Sequence, residues 1–188
     1  MKNVAIFASG SGTNAENIIK YFSGSKSVNI SVVLSNNQKV KVHERVNNLG
    51  VPSFVFTREE FIEGTPVIKK LAEYNIDFIV LAGFMNKISE NLLRAFPHKI
   101  INIHPALLPK HGGKGMFGMH VHDAVVAAKE KESGITIHYI NENYDEGAII
   151  FQATCPVLPT DTPDDVANKV HALEYAHYPH VIEEVITK

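Results

Sequence analysis

Cysteine is almost absent from this sequence of 188 residues, which contains only Cys155. A single cysteine excludes an intramolecular disulfide and a cysteine-rich metal site. Because Cys155 lies in a strand-like segment between Ala153 and Val157, we expect it to be a buried, unreactive thiol.

The sequence also lacks an apolar run long enough to span a bilayer, which takes about 20 residues. No signal peptide is expected, because Met1 and Lys2 lead directly into the first predicted strand. These two absences predict a cytoplasmic protein with no membrane partner.

Neither sign of charge is in large excess, since the formal net charge is −2. Lysine and arginine are scattered along the chain, so nucleic acid is not expected as a partner. The length and the hydrophobic content of 45% suit one α/β domain, and we expect a single domain over residues 1–188. The sequence leaves the oligomeric state open between a monomer and a homodimer.

Short apolar segments alternate with amphipathic helical patterns along the chain. The predicted strands cover residues 3–8, 28–35, 51–56, 77–81, 99–104, 134–140 and 148–156. The last two read as a hairpin, and a final helix begins with Thr162 as N-cap and Pro163 at its first position. This order predicts an α/β fold with a Rossmann-like, doubly wound, mostly parallel sheet, an antiparallel C-terminal edge and helices on both faces. Residues 58–60 are expected to form a solvated turn.

Asn102 and His104 lie at the carboxyl end of the fifth predicted strand, where Pro105 prevents continuation into a helix. Because they are two positions apart on a strand, their side chains project to the same side. A carboxamide beside an imidazole is suited to stabilising an oxyanion and transferring protons. Alternatively, both side chains simply satisfy the backbone of the following turn.

A glycine-rich turn, residues 10–14, joins the first strand to the first helix. Its glycines allow close approach of a ligand, and Thr13 or Asn14 can cap a helix whose N–H groups face an anion. The pattern predicts a phosphate site, with an empty tight turn as the alternative. A dinucleotide is not favoured, because the second strand ends in Asn36 and Asn37, where such sites need an acidic residue.

Asp145 lies in the turn between the last two predicted strands. If it reaches His104, its carboxylate raises the pKa of the imidazole and orients the ring; otherwise it is an ordinary turn residue. Four histidines close in sequence also allow a metal site, namely His104, His111, His120 and His122. Their spacing matches no common zinc motif, so no metal is expected.

Four motifs in chain order resemble the phosphoribosylglycinamide formyltransferases, a family of folate-dependent formyltransferases. They are residues 10–14, 81–85, the Asn-Ile-His-Pro-Ala-Leu-Leu-Pro segment 102–109 and residues 144–147, followed by a final helix that contains Glu174. The resemblance covers the whole chain. Ala106 stands where serine is commoner in the family.

The resemblance implies formyl transfer from 10-formyltetrahydrofolate, a co-substrate, to the amine of glycinamide ribonucleotide in purine (IMP) biosynthesis. The amine attacks the formyl carbon directly. Asn102 then stabilises the oxyanion, His104 acts as the general acid, and Asp145 raises the pKa of His104.

The resemblance also implies the residues that bind the substrates. The acceptor's phosphate is expected on Gly12, Thr13 and Asn14, with Glu174 near its glycinamide part. The folate is expected against Met85, Asn86, Lys87 and Ile88, and in contact with Asn102. Asn86 stands where the family often has arginine, and Lys87 partly compensates for that charge.

Other functions remain open within the superfamily and outside it. A formyltetrahydrofolate hydrolase uses the same three polar residues on water, and a sugar-nucleotide formyltransferase uses them on another amine. We expect neither the N-terminal regulatory domain of the hydrolases nor the C-terminal RNA-binding domain of the methionyl-tRNA formyltransferases. From a different class, the chain suits a nucleotide-binding module without catalysis.

Overall fold

Runs of consecutive apolar residues form the central strands of one sheet in the computed structural model, which describes residues 1–188. The strands are β1 (Lys2–Phe7), β2 (Val28–Ser35), β3 (Ser53–Val55), β4 (Phe78–Leu81), β5 (Ile100–His104), β6 (Glu132–Tyr139) and β7 (Ile149–Pro156). Their spatial order is β3-β2-β1-β4-β5-β6-β7. Strands β1 to β5 are parallel to one another. Strand β6 pairs antiparallel with β5, and β7 pairs antiparallel with β6. The predicted fold class is confirmed.

Seven helices connect or follow these strands. They are α1 (Thr13–Phe22), α2 (Val42–Asn47), α3 (Arg58–Glu63), α4 (Thr65–Glu73), α5 (Glu90–Ala95), α6 (Met119–Ala127) and α7 (Pro163–Thr187). No helix is both long enough and apolar enough to cross a membrane.

Alternate residues of β1 enter two separate hydrophobic cores. Val4 and Ile6 belong to the larger core, which packs the sheet against α1, α2, α6 and α7. Ala5 and Phe7 belong to the smaller core, beneath α3, α4 and α5. This division follows from the period of two in a strand, and it places helices on both faces as predicted.

Two local predictions differ from the structure. Residues 58–60 were expected in a turn but begin α3, because Thr57 and Glu60 form a capping box. Cys155 in β7 is half-buried rather than fully buried, and burial raises the pKa of its thiol.

The order of the strands reverses at β1, which has β2 on one side and β4 on the other. The chain first adds β2 and β3 on one side of β1, and then returns to add β4 and β5 on the other. Such a reversal opens a crevice at the carboxyl ends of the strands, where α/β folds bind their ligands. The segments after β1, β4 and β5 therefore meet at this edge.

Candidate active site

A cavity of about 610 Å³ opens at the carboxyl ends of β1, β4 and β5. Its walls include the segments that follow these strands, together with parts of α6, α7 and the β6–β7 turn. Every residue that the sequence analysis assigned to a substrate or to catalysis lines it: Gly12, Thr13, Asn14, Met85, Asn86, Lys87, Ile88, Asn102, His104, Asp145 and Glu174. The fold thus brings into one cavity side chains that lie far apart in the sequence.

His104 is buried at the end of β5, and both of its ring nitrogens face oxygen atoms. Its Nε2 lies 2.8 Å from the backbone oxygen of His111. Because a carbonyl oxygen only accepts hydrogen bonds, Nε2 carries the hydrogen and donates it. The other nitrogen, Nδ1, lies 3.6 Å from Oδ2 of Asp145. Nδ1 therefore faces the carboxylate that stabilises a proton on the ring.

Asp145 is fixed by a backbone hydrogen bond and lies close to both buried histidines. Its Oδ2 accepts a hydrogen bond of 2.9 Å from the backbone N–H of Gly113, and its Oδ1 lies 3.7 Å from Nε2 of His138, beyond hydrogen-bond distance. Its backbone φ of 54° lies in the left-handed region, which aspartate tolerates better than most residues. These contacts hold one carboxylate between the β6–β7 turn and the segment that follows β5.

Two opposing effects set the pKa of His104. Burial favours the neutral imidazole and lowers the pKa, whereas the Asp145 carboxylate and the His111 carbonyl favour the charged ring and raise it. Burial is the larger effect, so the pKa of His104 lies below its ordinary value. Asp145 therefore offsets part of the effect of burial but does not outweigh it.

His138 is a site residue that the sequence analysis missed. It lies opposite Asn102 in the register between β5 and β6, and Nδ2 of Asn102 lies 3.2 Å from its Nε2. Because Nδ1 of His138 donates to the backbone oxygen of Tyr139 at 3.0 Å, Nε2 is free to accept from the Asn102 amide. Burial lowers the pKa of His138 and so favours this neutral form. The contact fixes the Asn102 carboxamide with its nitrogen toward His138.

The N-cap of helix α1 is Gly12, which has a φ of 75° and provides no side-chain cap. The expectation that Thr13 or Asn14 caps α1 is therefore wrong. Both side chains contact α7 instead: the Tyr175 hydroxyl donates to Oγ1 of Thr13 at 2.9 Å, and the Asn14 amide donates to Oε2 of Glu174 at 3.3 Å. The first N–H groups of α1 have no side-chain acceptor, as an anion site requires.

Glu174 lies beside this loop and is only 9% exposed. Burial disfavours its carboxylate and raises its pKa to about 7. Near neutral pH the group therefore exists in both its protonated and its ionised forms.

The segment after β4 forms another wall of the cavity. The backbone N–H of Met85 donates to Oγ of Ser9 at 3.1 Å, which ties this wall to the end of β1. Ile88 is buried, whereas Met85 is exposed. Nζ of Lys87 lies 5.8 Å from the ring centroid of Tyr144. The wall therefore presents apolar surface with a cation at its edge.

The structure does not bring together the four histidines that were weighed as metal ligands. Nε2 of His111 lies 3.1 Å from Glu130, and the exposed ring of His120 packs on Phe117. No group of three or more His, Cys, Asp or Glu side chains is placed to hold a metal ion.

Two further histidines line the cavity, His122 on α6 and His171 on α7, with their ring centroids 6.3 Å apart. The sequence analysis considered His122 only as a metal ligand and did not single out His171. The sequence could have indicated His171, because residues three and four apart share one face of a helix. His171 therefore lies on the same face of α7 as Glu174 and Tyr175.

The fold is that of a known class of proteins. Residues 2–182 match the Formyl transferase family, and the chain belongs to that family. It aligns over its full length with a phosphoribosylglycinamide formyltransferase structure from Bacillus halodurans, with a TM-score of 0.90, 35% identity and coverage of 96% of that chain. The corresponding structure from Anaplasma phagocytophilum gives a TM-score of 0.91 at 35% identity and covers all of this chain and 87% of that one.

Similar proteins of known name belong to one group within this family. The phosphoribosylglycinamide formyltransferase of Haemophilus influenzae is 35% identical over 188 residues, which are 97% of this chain and 86% of that protein. The chloroplastic enzyme of the same name from Arabidopsis thaliana is 36% identical over 96% of this chain. Within the family, the relatives and solved structures named here are all phosphoribosylglycinamide formyltransferases. The chain spans only 64% of the Arabidopsis protein and 60% of its chloroplastic counterpart from Vigna unguiculata.

Proposed function

We propose that this protein transfers the formyl group of 10-formyltetrahydrofolate to the amine of phosphoribosylglycinamide, a step of purine (IMP) biosynthesis. The observation that carries the proposal is the convergence of Asn102, His104 and Asp145 in one cavity. The names of the relatives state the same acceptor. The proposed partners are therefore two small-molecule substrates.

The acceptor's phosphate binds at the start of α1. The backbone N–H groups there lack a side-chain cap and are therefore available to an anion. Glu174 contacts the glycinamide part of the acceptor. The folate lies against Met85, Asn86, Lys87 and Ile88, since this wall is apolar with a cation at its edge, and a folate is a flat ring system with an acidic tail.

The chemical step is a direct attack of the acceptor amine on the formyl carbon. As the new C–N bond forms, the electrons of the carbonyl bond move to the formyl oxygen. One N–H of the Asn102 amide is used by His138, and the other is free to donate to that oxygen.

Collapse of the intermediate restores the carbonyl and breaks the bond from the formyl carbon to N10 of the folate. His104 donates a proton to N10, and the proton lost by the amine returns to His104, directly or through one water molecule. Asp145 stabilises the protonated ring, offsetting part of the effect of burial. No covalent intermediate with the enzyme is needed.

A spectrophotometric assay of the purified protein tests the proposal. The deformylated folate is followed with 10-formyltetrahydrofolate present, with and without phosphoribosylglycinamide. We expect turnover only when the acceptor is present. Equal turnover without the acceptor would identify a hydrolase, and no turnover in either case would support the non-catalytic binding module.

A further inference from the structure

His122 is a buried polar side chain whose role the proposed reaction leaves open. It lies on α6, it is 2% exposed, and its ring lines the cavity. Its Nδ1 is buried without a hydrogen-bond partner. Buried polar atoms are nearly always paired, so an unpaired one at a cavity indicates a partner that a ligand supplies.

A second unpaired atom lies in the same cavity. Oδ1 of Asn14 is also buried without a partner, while the nitrogen of that amide is used by Glu174. An amide oxygen only accepts hydrogen bonds, so it requires a donor. Two unsatisfied groups in one cavity indicate a ligand portion that carries hydrogen-bonding groups, at least one of them a donor.

Contacts between rings place His122 on the acceptor side of the cavity. Its ring lies edge-on to that of His171, and His171 stacks on Tyr175 at a centroid distance of 6.3 Å. Tyr175 in turn donates to Thr13 in the proposed phosphate loop. His122 therefore lies at the other end of a row of side chains that starts at the phosphate site.

The electrostatic environment keeps His122 uncharged. Burial and the neighbouring His171 lower its pKa to about 4; His104 acts in the same direction, and Asp123 opposes them. A neutral imidazole offers one donor and one acceptor and does not attract an anion. Its ligand is therefore an uncharged polar group rather than the phosphate.

We propose that His122 is a specificity residue for the acceptor, hydrogen-bonded to a hydroxyl or amide group of its ribosylglycinamide portion. This inference rests on the proposed function. In that complex His122 contacts the acceptor between its phosphate and its attacking amine. The residue positions the acceptor and exchanges no proton with it.

Three variants at this position test the inference in steady-state kinetics. His122→Phe keeps a ring but removes both nitrogens, while His122→Asn and His122→Gln each restore one polar end of the imidazole. His120→Gln is the matched control, because His120 is an exposed histidine on the same helix.

We expect His122→Phe to raise KM for the acceptor about fivefold to tenfold, the effect of losing one hydrogen bond between neutral groups. We expect kcat and KM for the folate to stay within about twofold, and either the Asn or the Gln variant to recover most of the loss. An acceptor KM for His122→Phe equal to that of His120→Gln would overturn the inference. Turnover by the wild-type protein decides the proposed function separately.

A measurement on the wild-type protein avoids any dependence on how the variants fold. The ¹⁵N chemical shifts of the His122 imidazole are recorded by NMR as phosphoribosylglycinamide is added. We expect one nitrogen to shift on binding while the ring stays neutral. Binding of the acceptor that leaves both nitrogens unchanged would overturn the inference.

Discussion

The side chain of Asn14 donates a hydrogen bond of 3.3 Å to Glu174, although 160 positions separate the two residues. The contact joins the first turn of α1 to α7 at the proposed phosphate site. It places Glu174 at the proposed acceptor site and also places a carboxyl group where burial disfavours its charge. Binding and stability therefore place opposite demands on this residue.

Replacing Glu174 with glutamine is expected to stabilise the fold at alkaline pH. The pKa of Glu174 is raised from 4.5 to about 7, so between these values the folded state binds more protons than the unfolded state. Stability is therefore lost as pH rises through this window, by up to about 3 kcal/mol. At pH 8, Glu174→Gln should therefore have a higher free energy of unfolding than wild type, measured by urea unfolding. The Kd of the variant for the acceptor should also be higher.

The exposed Glu184 on the same helix supplies the control for this comparison. Glu184→Gln should leave both the pH dependence of stability and the acceptor Kd close to wild type. If the stability of Glu174→Gln fell with pH as steeply as that of wild type, the assignment of the buried titration to Glu174 would be wrong.

Replacing His104 with alanine is expected to remove turnover but retain substrate binding. Loss of a general acid reduces kcat by roughly 10² to 10⁴, while the phosphate loop and the folate wall remain intact. Single-turnover kinetics and calorimetric titration with the acceptor separate the two effects. His120→Ala should keep full activity, and a His104→Ala variant with wild-type kcat would exclude the mechanism.

Replacing Asp145 with asparagine is expected to lower the pKa of His104 further. The carboxylate raises that pKa against the effect of burial, so its removal leaves burial unopposed. Because a general acid must be protonated, the alkaline limb of the profile of kcat against pH should move to lower pH, with kcat reduced by about tenfold or more. The exposed neighbour Glu146 gives the control variant, Glu146→Gln. If the alkaline side of the kcat profile were unchanged in Asp145→Asn, the Asp145 carboxylate would not affect the pKa of His104.

Replacing Gly12 with alanine is expected to destabilise the protein and weaken acceptor binding. Gly12 has a φ of 75°, and an added Cβ would lie 2.7 Å from Cα of Val42, a backbone atom that a side-chain rotation cannot move. Left-handed strain and overpacking together cost about 2 to 4 kcal/mol. Gly10→Ala adds a Cβ with no atom within 4 Å and should change the free energy of unfolding by less than about 1 kcal/mol. Equal unfolding midpoints for the two variants would contradict the argument.

Local patterns in the sequence determined most of the fold. Consecutive apolar residues identified the parallel strands, and alternation with helices determined the class of sheet, because strand and helix periods are properties of short segments. The helix over residues 58–63 could also have been predicted from the sequence, since the capping box of Thr57 and Glu60 is a local pattern. Polar residues at the ends of β1, β4 and β5 identified the cavity, because parallel strands end at the same edge.

Only the tertiary structure decided how those side chains interact. His138 reaches Asn102 because of the register between β5 and β6, and strand alternation alone does not fix register. The pKa of His104 falls because burial outweighs a carboxylate 3.6 Å away, and burial is set by every element that packs on the residue. The sequence by itself thus determined which residues gather at the cavity, whereas their charge states and partners depend on distances that exist only in the folded chain.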